Sequence, residues 1–243
     1  MDVLAEHDVA LVRAPNPSPL TLTGTNTWIA GREPAWVIDP GPALDEHLGA
    51  VAAAVAARGG AGGIALTHDH PDHAEGADAL ARELGGVPVA AMRHPADVSL
   101  RDGDRFGPLR AMALPGHADD HVVFTTGRVA FTGDAVPGEG SVFVQSRLRE
   151  YLDGLMRLRA MGLALLCPGH GERVSDPGRR LGELIEHRRA REAALVGALE
   201  RGLRSEDELL DAAWPDAPAA LRPVAALSLA AHLGKLREEG RVA

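Results

Sequence analysis

The chain has 243 residues, 45% hydrophobic and 24% charged, with a formal net charge of −9. That profile fits a soluble globular protein of one large domain, or one domain plus a small appendage. Aromatics at 3% and the acidic balance argue against a basic, base-stacking nucleic-acid platform. Cys167 is the only cysteine, which excludes an intrachain disulfide. No apolar run reaches transmembrane length, and the acidic N-terminus lacks a signal-peptide pattern. The expectation is a cytoplasmic protein with no membrane partner.

In chain order, Thr27–Ala30 and Ala35–Gly41 read as strands, the second ending in an Asp39-Pro40-Gly41 turn. Residues 44–58 and 74–84 have helical spacing, and the Gly59–Gly63 cluster reads as a loop between helix and strand. Pro88–Met92, Leu109–Leu114, His121–Thr125, Arg128–Thr132 and Leu163–Cys167 are further strand candidates. Residues 147–161 return to helical spacing. Strands mixed with helices predict an α+β chain of sheets covered by helices. The composition changes near residue 180, and 180–202, 205–213 and 219–238 read as helices. Ser205 with Glu208 forms a capping-box pattern. The last residues read as a helix running into a short wing. The expected division is 1–180 and 181–243.

The densest chemistry lies in Thr67-His68-Asp69-His70-Pro71-Asp72-His73, where the imidazoles of His68, His70 and His73 and the carboxylate of Asp72 crowd one short segment. Four apolar segments run into polar residues able to bind metal. Ile64–Leu66 leads to His68, Ala111–Leu114 to His117, Val129–Thr132 to Asp134, and Leu163–Cys167 to His170. Strands deliver their loops to a common sheet edge, where binding sites gather. Glycine precedes each of His117, Asp134 and His170, permitting close backbone approach and positive φ. Imidazole and carboxylate suit zinc, and also iron or manganese. His68, His70, Asp72, His73, His117, Asp134 and His170 are too many for one four-coordinate ion. They divide between two ions if one carboxylate bridges. A lone histidine after a strand is more often a surface residue, but a solvated loop rarely concentrates three.

On these residues the chain resembles the metallo-β-lactamase superfamily. His68, His70, Asp72 and His73 meet its His-x-His-x-Asp-His signature, and His117, Asp134 and His170 follow in the family's order. The resemblance covers roughly residues 10–180. It implies an αββα sandwich with metals at one edge. It also implies that His68, His70 and His117 hold one ion, that Asp72, His73 and His170 hold the other, and that Asp134 bridges. Asn16-Pro17-Ser18, Leu22–Thr27, Pro115–His121 and Gly138–Ser141 are similar to the hallmarks of the β-lactamase-like protein 2 branch. That branch carries a small C-terminal winged-helix domain, matching residues 181–243, and includes single-strand RNA endonucleases and polyketide-releasing thioesterases. Two residues depart from the family pattern: Glu75, where small residues are usual, and Cys167, where an aromatic is common.

Around the seven, Asp39 is expected to orient a ligand from behind, to form a simple turn, or both. Thr67 is expected to help it or to end a strand. Asp120 and His121 read as loop-stabilising residues first and substrate contacts second. Gly138–Ser141 forms either a lip offering N–H groups to an oxyanion or a plain turn. Arg147, Arg149, Arg157 and Arg159 read as a solvated helix face rather than an anion site. His187, Arg188 and Arg191 are expected to tie the C-terminal helix to the core.

The functional expectation is a hydrolase with two zinc ions, a metal-bridging hydroxide as nucleophile, and Asp72 also handling a proton. A thioester or ester is the expected substrate, as a small molecule or an acyl thioester. The alternatives are a single-strand endoribonuclease acting on RNA, and a winged-helix regulator with a metal-sensing domain.

Overall fold

The protein is described as a computed structural model covering residues 3–93 and 95–242. After a short helix α1 (Val3–Glu6), six strands form the first sheet: β1 (Val9–Arg13), β2 (Asn26–Ala30), β3 (Ala35–Ile38), β4 (Ala61–Ala65), β5 (Val89–Ala91) and β6 (Val98–Ser99). They lie in chain order, antiparallel through β3 and parallel from β3 onward. The parallel crossovers carry α2 (Asp45–Ala56), α3 (Pro71–Ala74) and α4 (Ala77–Glu83). The second sheet holds β7 (Arg105–Phe106), β8 (Leu109–Ala113), β9 (Val122–Thr126), β10 (Val129–Gly133) and β11 (Leu165–Pro168). Helix α5 (Leu148–Ala160) joins β10 to β11, which pair in parallel.

Strand alternation explains the layering. In β2, Trp28 and Ala30 face Phe124, Phe131 and Leu165 between the sheets, while Ile29 points the other way onto Val51, Val55 and Leu80 of the helices. On the second sheet, Ala130 and Leu166 pack outward against Tyr151, Leu155 and Leu158 of α5. The result is an αββα sandwich, as expected. Cys167 is part of the inter-sheet core, where small apolar character is what the position needs.

Helix α6 (Pro177–Glu200) runs unbroken past residue 180. Leu181, Leu184 and Ile185 pack on the second sheet's outer layer. Leu195 and Ala198 join a separate core with α7 (Glu206–Ala213) and α8 (Arg222–Glu238). The Ser205–Glu208 capping box is present.

Several expectations need correction. The run 59–63 is not all loop, because β4 begins at Ala61. Gly62 lies under the Trp36 ring and Gly63 under Phe106, where a Cβ would collide at 2.6 and 2.5 Å. These glycines serve packing, not a turn. The helix expected over 74–84 starts earlier, at Pro71, and breaks at Glu75–Gly76, where the Gly76 N–H donates to the Gly41 carbonyl. No strand follows α8 among the described residues, so the expected wing is a turn at Gly240. Strands β1, β6 and β7 had no clear sequence signal. No described helix is long and apolar enough to cross a membrane.

Candidate metal centre

Four strand ends converge as the sequence pattern anticipates. Beyond β4 lies His68, beyond β8 His117, beyond β10 Asp134, and beyond β11 His170. Pro71 begins α3 at N1, which pre-sets the helix and leaves His70 extended (φ −75, ψ 141) just before it. Asp72 and His73 then occupy its first turn. Backbone bonds stitch the sheets together behind the site. Val122 N–H donates to the Thr67 carbonyl (2.7 Å), and Asn26 N–H to the Gly169 carbonyl (2.7 Å). The Asn26 amide and the Trp28 indole fix the loop carrying His170 through the Pro168 carbonyl.

All seven expected residues come together. His68 Nε2 lies 2.9 Å from His70 Nδ1, which lies 3.1 Å from His117 Nε2. His170 Nε2 lies 3.2 Å from both His73 Nε2 and Asp72 Oδ2. Asp134 stands between the trios, Oδ1 3.4 Å from His73 and His170 and Oδ2 3.5 Å from His117. Three overlapping groups of donor atoms could each hold an ion: His68–His70–His117, His68–His73–Asp134, and Asp72–His73–His170. Nitrogens about 3.3 Å apart are the edges of a tetrahedron with metal–nitrogen bonds of about 2.0–2.1 Å.

Hydrogen bonds from behind set the tautomers. Thr67 donates its N–H and hydroxyl to the two Asp39 oxygens, each at 2.7 Å. With that hydroxyl proton committed, Thr67 Oγ1 accepts from His68 Nδ1 at 3.0 Å. Asp39 Oδ2 also faces His73 Nδ1 at 2.9 Å. Both rings therefore direct an Nδ1–H away from the cluster, which leaves Nε2 as the nitrogen that faces it and that a cation would take in place of a proton. Asp39 holds this post at φ 52, in the left-handed region that aspartate tolerates. The turn and orienting readings of Asp39 are both right.

His121 does more than stabilise its loop. Its Nε2 accepts from the Asp134 N–H at 3.1 Å, and its ring stacks on His68 with centroids 5.0 Å apart. Asp120 accepts from the Asp69 N–H. Glu75 accepts from the exposed Ala43 N–H, away from the cluster. The glycines before the ligands differ in purpose. Gly133 combines φ +45 with a close approach, since a Cβ there would lie 2.5 Å from Thr67 Oγ1, whereas Gly169 is required for space alone: a Cβ there would lie 2.5 Å from the His73 ring and 2.7 Å from Asp134 Oδ1.

The electrostatics favour positive charge at the centre. Burial opposes a charged His73, yet Asp134 and Asp39 outweigh it and hold the ring well above its ordinary pKa. His170 is likewise raised to about 9 against burial, by Asp134 and Asp72. Asp134 stays well below the usual carboxylate range despite burial, because of His73 and His170. His68 goes the other way, pushed down by burial and then by His73 and His121. The ring nitrogens of His117 and His170 that point away from the cluster have no partner. Carboxylates that draw protons onto rings, among converging nitrogens, form a donor set that fits divalent cations.

Three of the four arginines of the 147–159 run form surface pairs: Arg147 with Glu150, Arg149 with Glu238, and Arg157 with Asp102. The segment after Asp134 is held through its carbonyls. Arg180 donates to those of Pro137 and Gly140, and Arg188 to that of Val142 and to Ser141 Oγ. Arg191 ties α6 to the Ala213 carbonyl and to Asp216.

Residues 205–243 match the family described as Beta-lactamase associated winged helix domain. A Beta-lactamase-like protein 2 homolog of Caenorhabditis elegans is 28% identical, over 93% of this chain and 83% of its own. The Atrochrysone carboxyl ACP thioesterase of Aspergillus fumigatus is 31% identical, over 87% of this chain and 71% of its own. The crystal structure of a metallo-beta-lactamase family protein from Thermus thermophilus superposes with a TM-score of 0.73 at 25% identity, covering 97% of this chain and 95% of that one. With this fold and this donor set, the chain belongs to the metallo-β-lactamase superfamily, as a metal-dependent hydrolase with a C-terminal winged-helix domain.

Proposed function

We propose that the protein is a dinuclear hydrolase of thioesters or esters. His68, His70 and His117 would hold one ion, Asp72, His73 and His170 the other, with Asp134 bridging. The observation that carries this is the division of Asp134, one oxygen toward each trio. Zinc fits the nitrogen-rich set, with iron and manganese as alternatives. When bound, such ions supply a nucleophile from water near neutral pH and polarise the scissile carbonyl. The chain's residues do the rest. Asp39 and Thr67 orient the rings, and His121 orients Asp134. Asp72 is the most open of the carboxylates facing the cluster, with its side chain 32% exposed against 17% for Asp134. Interaction with His170 holds it ionised against burial, and its exposure, not its basicity, is what supports a proton-handling role beyond its ligand role.

The acyl reading draws on the mouth of the site. Leu22 lies 3.1 Å from where a Cβ on Gly171 would stand, beside His170. It is held at φ 53 in a loop whose backbone is fixed by Asn16 and Ser18. Leu20 in the same loop is 73% exposed. These leucines offer an apolar rim to an acyl chain. In the C-terminal segment, Arg191, Arg222, Lys235 and Arg241 are each paired with carboxylates, which suits packing better than phosphate binding. We keep residues 1–180 as the catalytic unit and 181–243 as the winged-helix-like unit, with α6 shared between them.

The test is turnover of metal-loaded protein on an acyl-thioester panel and on labelled single-stranded RNA, with His68→Ala as control. Thioester hydrolysis lost in the variant is expected. RNA cleavage lost in the variant, with every thioester intact, would replace this substrate reading. Specific DNA binding without turnover would favour the regulator.

A further inference from the structure

Two of the loops that carry metal-centre residues rest on one buried side chain. Tyr151 of α5 is fully buried, and its hydroxyl donates to the Ala135 carbonyl at 2.9 Å. Ala135 directly follows Asp134. The same side chain lies beneath Gly116, where a Cβ would stand 3.0 Å from Tyr151 Cβ and 3.1 Å from its ring. Gly116 directly precedes His117 and has φ +139, a conformation that side chains rarely adopt. Asp134 Oδ2 and His117 Nε2 are 3.5 Å apart. One tyrosine thus backs both sides of that gap, by its hydroxyl on one side and its ring on the other.

The hydroxyl is a dependable donor. Burial pushes the phenol up to about 12, against the influence of Arg188 and Arg180, so it keeps its proton. The backbone groups on either side have partners of their own. The Asp134 N–H donates to His121, and the Val136 carbonyl accepts from Thr132 Oγ1 at 2.8 Å. A buried carbonyl left without a donor is costly, and at Ala135 Tyr151 supplies one. Arg188 of α6 braces the tyrosine in turn. It is buried, with its guanidinium over the Tyr151 ring at 5.8 Å from the centroid, a cation–π contact. Its Nη2 also donates to the Val142 carbonyl and to Ser141 Oγ. That segment returns to His117, since the Gln145 N–H donates to the Gly116 carbonyl at 2.9 Å. The 140–143 stretch is not held by close packing throughout. With α6 and Trp214 it walls a cavity of about 490 Å³ that includes none of the seven metal-centre residues. Polar clamps such as Arg188 fix it instead.

The geometry points to Tyr151, braced by Arg188, as a positioning residue that sets the spacing of Asp134 against His117 and with it the hold on the second ion. The inference rests on the reading of Asp134 as the carboxylate shared between two ions.

Full-length, metal-stripped protein is titrated with zinc in competition with a chelator, and with cobalt(II) followed by its visible absorption. Tyr151→Phe keeps the ring and removes only the hydroxyl. It should bind the first ion as the wild type does and the second about tenfold or more weakly, with altered cobalt bands. Tyr151→4-aminophenylalanine, which donates from the same place, should restore both readouts. A tyrosine that serves packing alone would lower the melting temperature of Tyr151→Phe while leaving second-ion affinity and cobalt bands unchanged, and that result overturns the inference. Wild-type protein that saturates with one ion overturns the two-ion reading, and this inference with it. Should Tyr151→Phe fail to fold, Arg188→Lys takes its place, because it keeps the cation and loses the planar fork. A weaker second ion is again expected, and unchanged affinity with unchanged bands again overturns the inference.

Discussion

Asp134 faces one trio with each oxygen, and Asp39 reaches two of the rings, one directly and one through Thr67. At this scale the consequences concern protons. In the metal-free chain His170 keeps its proton up to about pH 9, and His73 is raised in the same direction. A raised pKa means the ring is occupied below that value and must be vacated for a cation. Apparent metal affinity therefore increases with pH up to about 9, and loading at neutral pH releases protons. Calorimetric titrations in buffers of different ionisation enthalpy should show a buffer-dependent heat. A heat that is the same in every buffer would contradict the charge assignment. Asp39→Asn should weaken metal binding about 10- to 100-fold in competition with a chelator, as losing an orienting partner does. The seven donors were legible in the sequence because their spacing is chemical. The role of His121 was not, since its partner is a backbone N–H thirteen residues away.

The strand ends position the ligands only if the backbones approach closely. Gly169→Ala would place a Cβ against His73 and Asp134. We expect loss of metal and activity, with about 1–3 kcal/mol of destabilisation and an unchanged far-ultraviolet spectrum. Gly49→Ala is the opposite case, an exposed glycine in α2 with nothing within 4 Å. It should gain about 0.5–1 kcal/mol in urea unfolding, and a loss there would count against the helix. Elements with long periodic patterns, such as α2, α5 and α6, were readable to within a few residues. Strands β6 and β7 are two residues each, too short for any period to register. β4 was half hidden because Gly62 and Gly63 act as space for Trp36 and Phe106 rings distant in sequence.

The whole molecule joins two cores through one helix. The sandwich holds the metal centre at one edge, and α6 carries the second core to the segment following Asp134 through Arg180 and Arg188. The αββα class could be read from strand ends and signature, whereas the cavity beneath the 140–143 segment could not. Its lining comes from residues more than eighty positions apart and is created only by docking. The central claim is that the seven donors form two ion sites sharing Asp134. Titration of metal-stripped protein with zinc, counted by native mass spectrometry, tests it directly. Wild-type chain should take up two ions and Asp134→Ala should fail to hold both. A wild-type chain that saturates with one ion, or an Asp134→Ala chain that still binds two as tightly, would contradict it.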